Sequence, residues 1–378
     1  MKYTIIGAGI GGLTTALSFQ KKGIDYEVFE QAPKLNEVGA GIWLAPNALQ
    51  VLESLGILNE IQTNGNAIDR ITIGKSNLEP LSDSKQDVYE EIFGYSTVAI
   101  HRARLQKILF DKIPSKKIHL NKGLHSFQEL NSGKIKVVFE DKTNIETDFL
   151  IGADGINSKV RKQLFPNSKK RYSGQTCWRG IADIQLDDKY KHRGYELWGN
   201  QIRFGISRVS EGKVYWFAVV LAKENSKQNR SSTKENLTAL FSDFHPLVLT
   251  LIKSTSLDKI IKSDINDLKP LNKWYHNNVC LIGDAGHATT PNMGQGGAQA
   301  IEDAFYLSNA IKEVEENAFE LFQKRRKKKV NAIVKQSWNT GKMAHWKYGK
   351  RARNFIMQNI PKNIIEKKMI ELYELEKF

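Results

Sequence analysis

Three glycine-rich stretches carry the residue types and spacings that could do chemistry. The first is Gly7-x-Gly9-x-x-Gly12, directly after the apolar run Tyr3-Thr4-Ile5-Ile6. In this pattern the first glycine permits a tight turn, the second lets a pyrophosphate approach the backbone, and the third lets helix and strand pack closely. The phosphates would sit at a helix N-terminus, where free N–H groups and the helix dipole favour negative charge. Glu30 closes the segment Asp25–Glu30, 18 residues after Gly12, placed to accept hydrogen bonds from ribose hydroxyls. An acid there would repel a 2′-phosphate, so FAD or NAD fits better than NADP. A tight turn without a ligand also needs glycines. The strand before it, the helix after it and the acid at this distance favour dinucleotide binding, without choosing between NAD and FAD.

The second stretch is Gly152-Ala153-Asp154-Gly155-Ile156-Asn157-Ser158, after Phe149-Leu150-Ile151. Taken singly it reads as a strand-to-helix turn in which Asp154 caps the next helix. The third is Gly283-Asp284-Ala285-Gly286-His287-Ala288, followed by Pro291 and Gly294-Gln295-Gly296-Gly297, again a strand-to-helix connection by itself. His287 reads as a packing or hydrogen-bonding residue of that turn. The eight histidines show no metal-ligand spacing, and two cysteines are too few for a thiolate metal site.

The elements that must position these residues follow from periodicity. Residues 3–6, the Gly7–Gly12 turn, an Ala/Leu-rich helix through Lys22 and the strand Asp25–Glu30 make one βαβ unit. Pro46 to Leu55 has helical spacing, as does Arg102 to Lys112 with Pro114 just beyond. Residues 117–151 alternate apolar and polar positions around a hairpin turn at Asn131-Ser132-Gly133. The stretch 174–222, rich in aromatic and β-branched residues, reads as antiparallel sheet. Asn278 to Ile282 is a strand, and from Gly296 onward the chain reads as helices. Length favours two domains or one large one. With only two cysteines there is no disulfide framework, and a reducing, cytoplasmic setting is expected. No run is long and apolar enough for a membrane span.

Together, in this order, the three stretches resemble the single-component FAD-dependent monooxygenases, the flavoprotein aromatic hydroxylase superfamily with the p-hydroxybenzoate hydroxylase fold. Arg102, three residues before Leu105, and Glu302-Asp303-Ala304 add to the match. Trp178-Arg179-Gly180, Glu196-Leu197-Trp198-Gly199, Arg203-Phe204-Gly205 and Val214-Tyr215-Trp216-Phe217-Ala218 resemble the branch holding zeaxanthin epoxidase, salicylate hydroxylase and urate hydroxylase. The resemblance implies an α/β fold: a discontinuous FAD-binding Rossmann-like domain (1–72, 97–170 and 272–320), an antiparallel-sheet substrate domain (73–96 and 171–271) and a C-terminal helical segment (321–378). It also implies bound FAD, with NADH or NADPH as transient co-substrate, and oxygen transfer through a C4a-hydroperoxyflavin to a small aromatic or heteroaromatic substrate. Partners would be that substrate, O2 and NAD(P)H, with no nucleic acid.

By resemblance, Glu30 would take the adenosine ribose, Gly7, Gly9 and Gly12 the pyrophosphate, and Asp284 the ribityl hydroxyls. Arg102 would approach the flavin or its phosphates, and Asp154 is associated with both FAD and NAD(P)H. Pro291, Gly294, Gly296 and Gly297 would bring a helix N-terminus to flavin N1 and the C2 carbonyl, where reduced flavin carries negative charge. Arg203 and Tyr215 look similar to substrate-contacting positions of the urate hydroxylase branch, against the plainer expectation of a surface arginine and a half-buried strand tyrosine. No catalytic side chain is assigned. The alternatives are a flavin-dependent reductase or oxidase on the same fold, or a non-catalytic binding protein that keeps the fold without flavin. Signatures of flavin halogenases and Baeyer–Villiger enzymes are absent, and intact Gly-rich and Gly-Asp stretches oppose the binding-protein reading.

Net charge is +15, and thirteen Lys/Arg residues with no Asp or Glu lie between Leu321 and Ile365. Val330, Ile333, Val334 and Trp338 keep helical spacing, so one side is expected to pack. The cations Lys324–Lys329 are expected largely on the other side or at the helix start, as a solvated face; the sharper alternative is that this face steers anionic NAD(P)H or an anionic substrate.

Overall fold

The structure is a computed structural model that describes residues 1–35, 40–226, 233–314 and 316–376. The strand Lys2–Ile6 is buried at every position after Lys2, the pattern of a strand covered on both faces. It lies inside a six-stranded sheet ordered Tyr275–His276, Val279–Leu281, Phe149–Gly152, Lys2–Ile6, Asp25–Phe29, Ile118–His119. All neighbours there are parallel except the Tyr275–His276 pair. The helices Ile10–Lys21 and Gly296–Glu313 cover one face through Leu13, Leu17, Ile301 and Leu307. The other face packs on the three-stranded antiparallel sheet Leu124–Glu129, Ile135–Phe139, Asn144–Thr147 and the short helix Lys159–Leu164. The strand expected over 278–282 is Val279–Leu281.

A second, seven-stranded sheet runs Ile261–Leu268, Lys170–Asp183, Lys213–Leu221, Ile202–Ser210, Arg193–Trp198, Arg70–Lys75, Pro80–Lys85. Its strand Arg70–Lys75 straddles the expected boundary at 72. The expected antiparallel arrangement holds throughout except that Arg193–Trp198 pairs in parallel with Arg70–Lys75. Alternation sorts its two faces. Trp178, Phe204, Trp216 and Ala218 pack backward onto the helices Thr233–Leu240 and Pro246–Ser254. Gln175, Arg179, Glu196, Arg203, Tyr215 and Phe217 share the front face, as their register shows. A small sheet, Gly41–Leu44, Thr97–His101 and Asn66–Ile68, links the two large ones. Trp43 from it lies over Gly194, where a Cβ would meet its ring at 2.5 Å, and Tyr215 lies over Gly41 in the same way.

The helix Ala318–Ala344 buries Phe322, Val330, Ile333 and Val334 as its spacing required, and the Arg171 guanidinium stacks over Trp338 at 3.6 Å. The expectation that Lys324–Lys329 largely face solvent needs correction at two positions. Arg326 is 1% exposed and bonds Glu302 and Asp303, and Lys329 bonds Glu302. The acids come from the helix Gly296–Glu313, which explains why cations turn inward here.

Candidate active site

Four strand ends set the geometry. Ile6, Phe29, Gly152 and Leu281 lie in register at the carboxyl edge of the six-stranded sheet. The segments after them therefore meet along one rim: Gly7–Gly12, Glu30, Ala153–Ser158 and Ile282–His287. Ligands of open parallel sheets bind outside that edge.

Gly7 turns with φ +108°, and a Cβ there would lie 2.5 Å from the Ala153 carbonyl oxygen. A Cβ on Gly12 would lie 1.9 Å from the Gly7 carbonyl oxygen, so helix and strand touch through it. Gly9 differs. It precedes the helix Ile10–Lys21 with no side-chain cap, and a Cβ on it would meet no heavy atom within 4 Å. The helix thus presents free first-turn N–H groups over an open approach, as an anion requires. Beside it, Glu30 accepts from the Ala8 N–H at 2.7 Å and the Ala32 N–H at 2.9 Å. Both carboxylate oxygens are thereby fixed and keep lone pairs for further donors.

Asp154 caps its helix, accepting from the Lys159 N–H at 2.7 Å and the Val160 N–H at 3.2 Å through Oδ2. Its Oδ1 is buried without a partner. Desolvation raises its pKa against those hydrogen bonds. Arg161, from the same stretch, ties the second loop to the third by donating to the Ile156 and Ala285 carbonyls at 2.7 and 3.0 Å. Asp284 keeps an accessible side chain at the rim. Desolvation raises its pKa, opposed by Arg102, His287 and Arg161. Arg102 opens the helix Arg102–Asp111, its N–H bonded to the Ala40 carbonyl at 2.9 Å. Its exposed guanidinium acts electrostatically on both Asp284 and Tyr215.

Pro291 begins a one-turn 3-10 helix, Pro291–Met293, and Gly294 follows at φ +63°, a backbone that glycine favours. The helix Gly296–Glu313 then starts with no side-chain cap and no first-turn acid. At Gly297 a Cβ would strike Ile42 Cδ1 at 2.5 Å, whereas at Gly296 its nearest neighbour is Thr289 at an ordinary 3.6 Å. Gly296 is therefore the position that protein packing leaves unexplained.

A buried ionic network holds this third loop. Asp303 accepts from the Gly283 N–H at 2.8 Å, from Arg326 Nε at 2.9 Å, and pairs with His287 at 2.5 Å. Desolvation pushes the Asp303 carboxyl up, but His287 and Arg326 together hold it at about 2. Glu302 accepts from Arg326, Lys329, Gln299 and Asn47. His287, its ring tilted against Trp274 at 4.7 Å, serves this network, as its turn position suggested.

Arg203 and Tyr215 share the front face of the large sheet. Arg203 lies opposite Val219 and Tyr215 opposite Ser207, so they stand four residues apart in register, about 13 Å. The surface arginine of the plainer expectation is corrected: Arg203 is 1% exposed. It donates to Glu196 Oε1 at 2.8 Å, Asn292 Oδ1 at 2.7 Å and Gln175 Oε1 at 3.3 Å, and its Nε is buried without a partner. Asn292 belongs to the 3-10 turn, so Arg203 joins the large sheet to the third loop. Tyr215 sits among Ala40, Ile181, Trp43 and Phe217, where burial raises its hydroxyl pKa against the pull of Arg179. Sequence reasoning missed Glu196 and Asn292 as partners of Arg203, and Asn47, Gln299 and Arg326 as supports. Only Arg326 carried a signal, its spacing of four from both Phe322 and Val330.

The family model described as "FAD binding domain" matches residues 1–337. The chain is 34% identical to the aurachin C monooxygenase/isomerase of Stigmatella aurantiaca, over 90% of this chain and 89% of that protein. It is 30% identical to the 2-heptyl-3-hydroxy-4(1H)-quinolone synthase of Pseudomonas aeruginosa, over 96% and 94% of the two chains. The crystal structure of Klebsiella pneumoniae HpxO complexed with FAD and uric acid superposes with TM-score 0.91 at 26% identity, covering 99% of this chain and 96% of that one. A family match over residues 1–337, together with relatives and a solved fold matched over nearly the whole chain, places this protein in the FAD-binding-domain family, as an FAD-dependent monooxygenase of the flavoprotein aromatic hydroxylase superfamily.

Proposed function

We propose that this monooxygenase takes electrons from NADH or NADPH and inserts one atom of O2 into a nitrogen-containing heteroaromatic ring. The observation that carries the proposal is the pair of uncapped helix N-termini, Ile10–Lys21 and Gly296–Glu313, opening beside Gly9, where nothing lies against the backbone, and Gly296, where only Thr289 comes within ordinary contact. The donors and acceptors fit FAD: N–H groups donate to a diphosphate, Glu30 accepts from ribose hydroxyls, and Asp284, with no donor of its own among the described residues, accepts from ribityl hydroxyls. Bound FAD supplies the redox chemistry and the activation of oxygen.

The chain's own residues do the rest. Gly7, Gly9 and Gly12 seat the diphosphate, with Arg102 adding positive charge over the same rim. The N–H groups after Gly294, Gly296 and Gly297 stabilise negative charge at the ring end, and Pro291 fixes the turn that aims them. Asp154 holds the second loop and offers Oδ1 to a donor from either dinucleotide. Tyr215 stays protonated near neutral pH and donates to a substrate carbonyl or ring nitrogen. Arg203 offers its remaining Nε–H to a substrate acceptor. Trp43, Ile42 and Phe217 exclude water along the front face. A quinolone in one relative's name and uric acid in a neighbour's crystal are both nitrogen rings with carbonyl acceptors, which such donors suit. The two buried free thiols, Cys177 and Cys280, fit a reducing, cytoplasmic setting.

The test is spectroscopic and kinetic. Purified protein should carry the two absorption bands of oxidised flavin. NAD(P)H oxidation with O2 uptake should rise on adding quinolones or purines. Flavin reduction that no heteroaromatic compound accelerates would overturn the substrate class, and colourless protein that FAD fails to reconstitute would overturn the whole reading.

A further inference from the structure

Past residue 345 the basic segment presents a different surface. The helix Lys350–Asn359 turns Arg353 and Met357 inward, Arg353 over the Trp198 ring at 5.0 Å and bonded to the Ala344 carbonyl at 2.8 Å. Its opposite side is Ala352, Phe355, Ile356 and Asn359, an i, i+3, i+4, i+7 stripe exposed along its length. Phe355 is 67% exposed and Ile356 53%. Among the described residues nine large hydrophobic side chains are strongly exposed, and five of them, Trp346, Tyr348, Phe355, Ile356 and Ile364, fall between 346 and 364. Ordinary surfaces scatter such residues singly, so this clustering calls for a partner.

Charge says which partner. Lys347, Lys350, Arg351, Lys362, Lys367 and Lys368 are all exposed around the stripe, and Glu366 is the one acid between Leu321 and Lys368. On the helix Lys362–Tyr373, Ile364 shares its exposed side with Lys367 and Lys368. Apolar side chains ringed by lysine and arginine match the boundary between headgroups and acyl chains. A nucleic-acid backbone would use the cations but gives aliphatic Ile356 and Ile364 nothing to bury against. No described helix is long and apolar enough to cross a membrane, so the contact is peripheral.

We infer that residues 346–368 dock this protein on an anionic lipid surface, with Phe355 and Ile356 entering the acyl boundary and the surrounding cations meeting headgroups. The inference is independent of the substrate reading. It is tested by flotation of the FAD-loaded full chain with vesicles of phosphatidylcholine plus phosphatidylglycerol, and with phosphatidylcholine alone. Binding to the anionic vesicles only, reversed by salt, is expected. The double substitution Phe355→Ser, Ile356→Ser should weaken it at least about tenfold, with melting temperature and flavin content unchanged because neither side chain packs. Lys367→Gln with Lys368→Gln should weaken it roughly fivefold per cation. Failure to float with anionic vesicles, or wild-type flotation of the serine variant, overturns the inference. So does retention on duplex DNA without flotation, or self-association that the serine variant abolishes in place of lipid binding.

Discussion

Replacing Gly9 and Gly12 separately by alanine distinguishes a ligand cradle from a mere turn. Gly9 has φ −72° and ψ 178°, open to any L residue, and a Cβ there meets nothing within 4 Å. The lost glycine preference at the N-cap costs on the order of 1 kcal/mol. The stiffer unfolded chain returns about 0.4–1 kcal/mol. A chain of 378 residues unfolds with an entropy of roughly 0.8 kcal/mol/K, so the melting temperature of the apoprotein should move by about 1 °C or less. Gly12→Ala forces a carbon to 1.9 Å from a backbone oxygen that cannot rotate away. Overpacking of this kind costs about 1–3 kcal/mol, which lowers the melting temperature by roughly 1–4 °C. Flavin binding should respond in the opposite order of cleanliness. A methyl on Gly9 occupies the approach of the diphosphate and removes one or more charge-assisted hydrogen bonds, each worth roughly 1.5–3 kcal/mol. The FAD dissociation constant should rise about 10- to 150-fold per bond lost. Apoprotein is titrated with FAD by fluorescence quenching, beside thermal melts of the same preparations. A Gly9→Ala protein with wild-type melting temperature and wild-type FAD affinity would refute the reasoning.

The other predictions concern the loop supports and the ring end. Arg326→Met leaves buried Glu302 and Asp303 with only Lys329 and His287 as ion-pair partners, a loss of about 3–5 kcal/mol or roughly 4–6 °C; an unchanged melt would remove the network from the stability argument. Because Asp303 is held at about 2, below its usual 3.8, its stabilising contribution is full above pH 4 and drains as pH falls toward 2. Urea melts should therefore show an acid limb that Asp303→Asn flattens, and an equally steep limb in that variant counts against it. Arg203→Ala should raise substrate KM about tenfold or more, with no rescue by lysine, whose compact ammonium lacks the planar fork that spans these separated acceptors; a wild-type KM excludes Arg203 as an anchor. Gly296→Val should abolish flavin binding or reduction, and normal flavin occupancy with normal reduction kinetics would sink that assignment.

Local stereochemistry made part of the site readable. Gly12 is forced by its contact with Gly7, Gly7 by its left-handed turn beside Ala153, and Gly9 leaves the approach open between them, so their spacing within one βαβ unit exposed the turn, the approach and the helix packing. Glu30 followed for the same reason, since one short strand separates it from the helix. The partners of Arg203 come instead from Gln175, Glu196 and Asn292, three segments brought together only by sheet register and the third loop. Nothing local marks them. The parallel pairing of Arg193–Trp198 with Arg70–Lys75 was hidden likewise, because a strand supplied from more than a hundred residues away leaves no hairpin in the sequence. Arg326 is the intermediate case. It keeps the i, i+4 spacing of the apolar stripe, yet five neighbouring cations make a solvated face the natural reading until its acids are known.

The excess charge near the C-terminus is therefore two populations with different physics. Arg325, Arg326 and Lys329 pair with Glu313, Glu302 and Asp303, acids that precede the segment in sequence and meet it only in the fold. Lys327 bonds the Asn272 carbonyl. These cations lock the long helix onto the one that aims Gly296, and the buried ones among them are little screened by salt. Among the described residues the outer cations beyond residue 345 pair with none of these acids, stand beside exposed apolar side chains, and are screened within about 8 Å at physiological ionic strength. A single count of +15 merges a structural clamp with a surface built for a charged partner. Steering of an anionic cofactor or substrate would have to come from the exposed members such as Lys328, because the inward cations have already spent their field on Glu302 and Asp303.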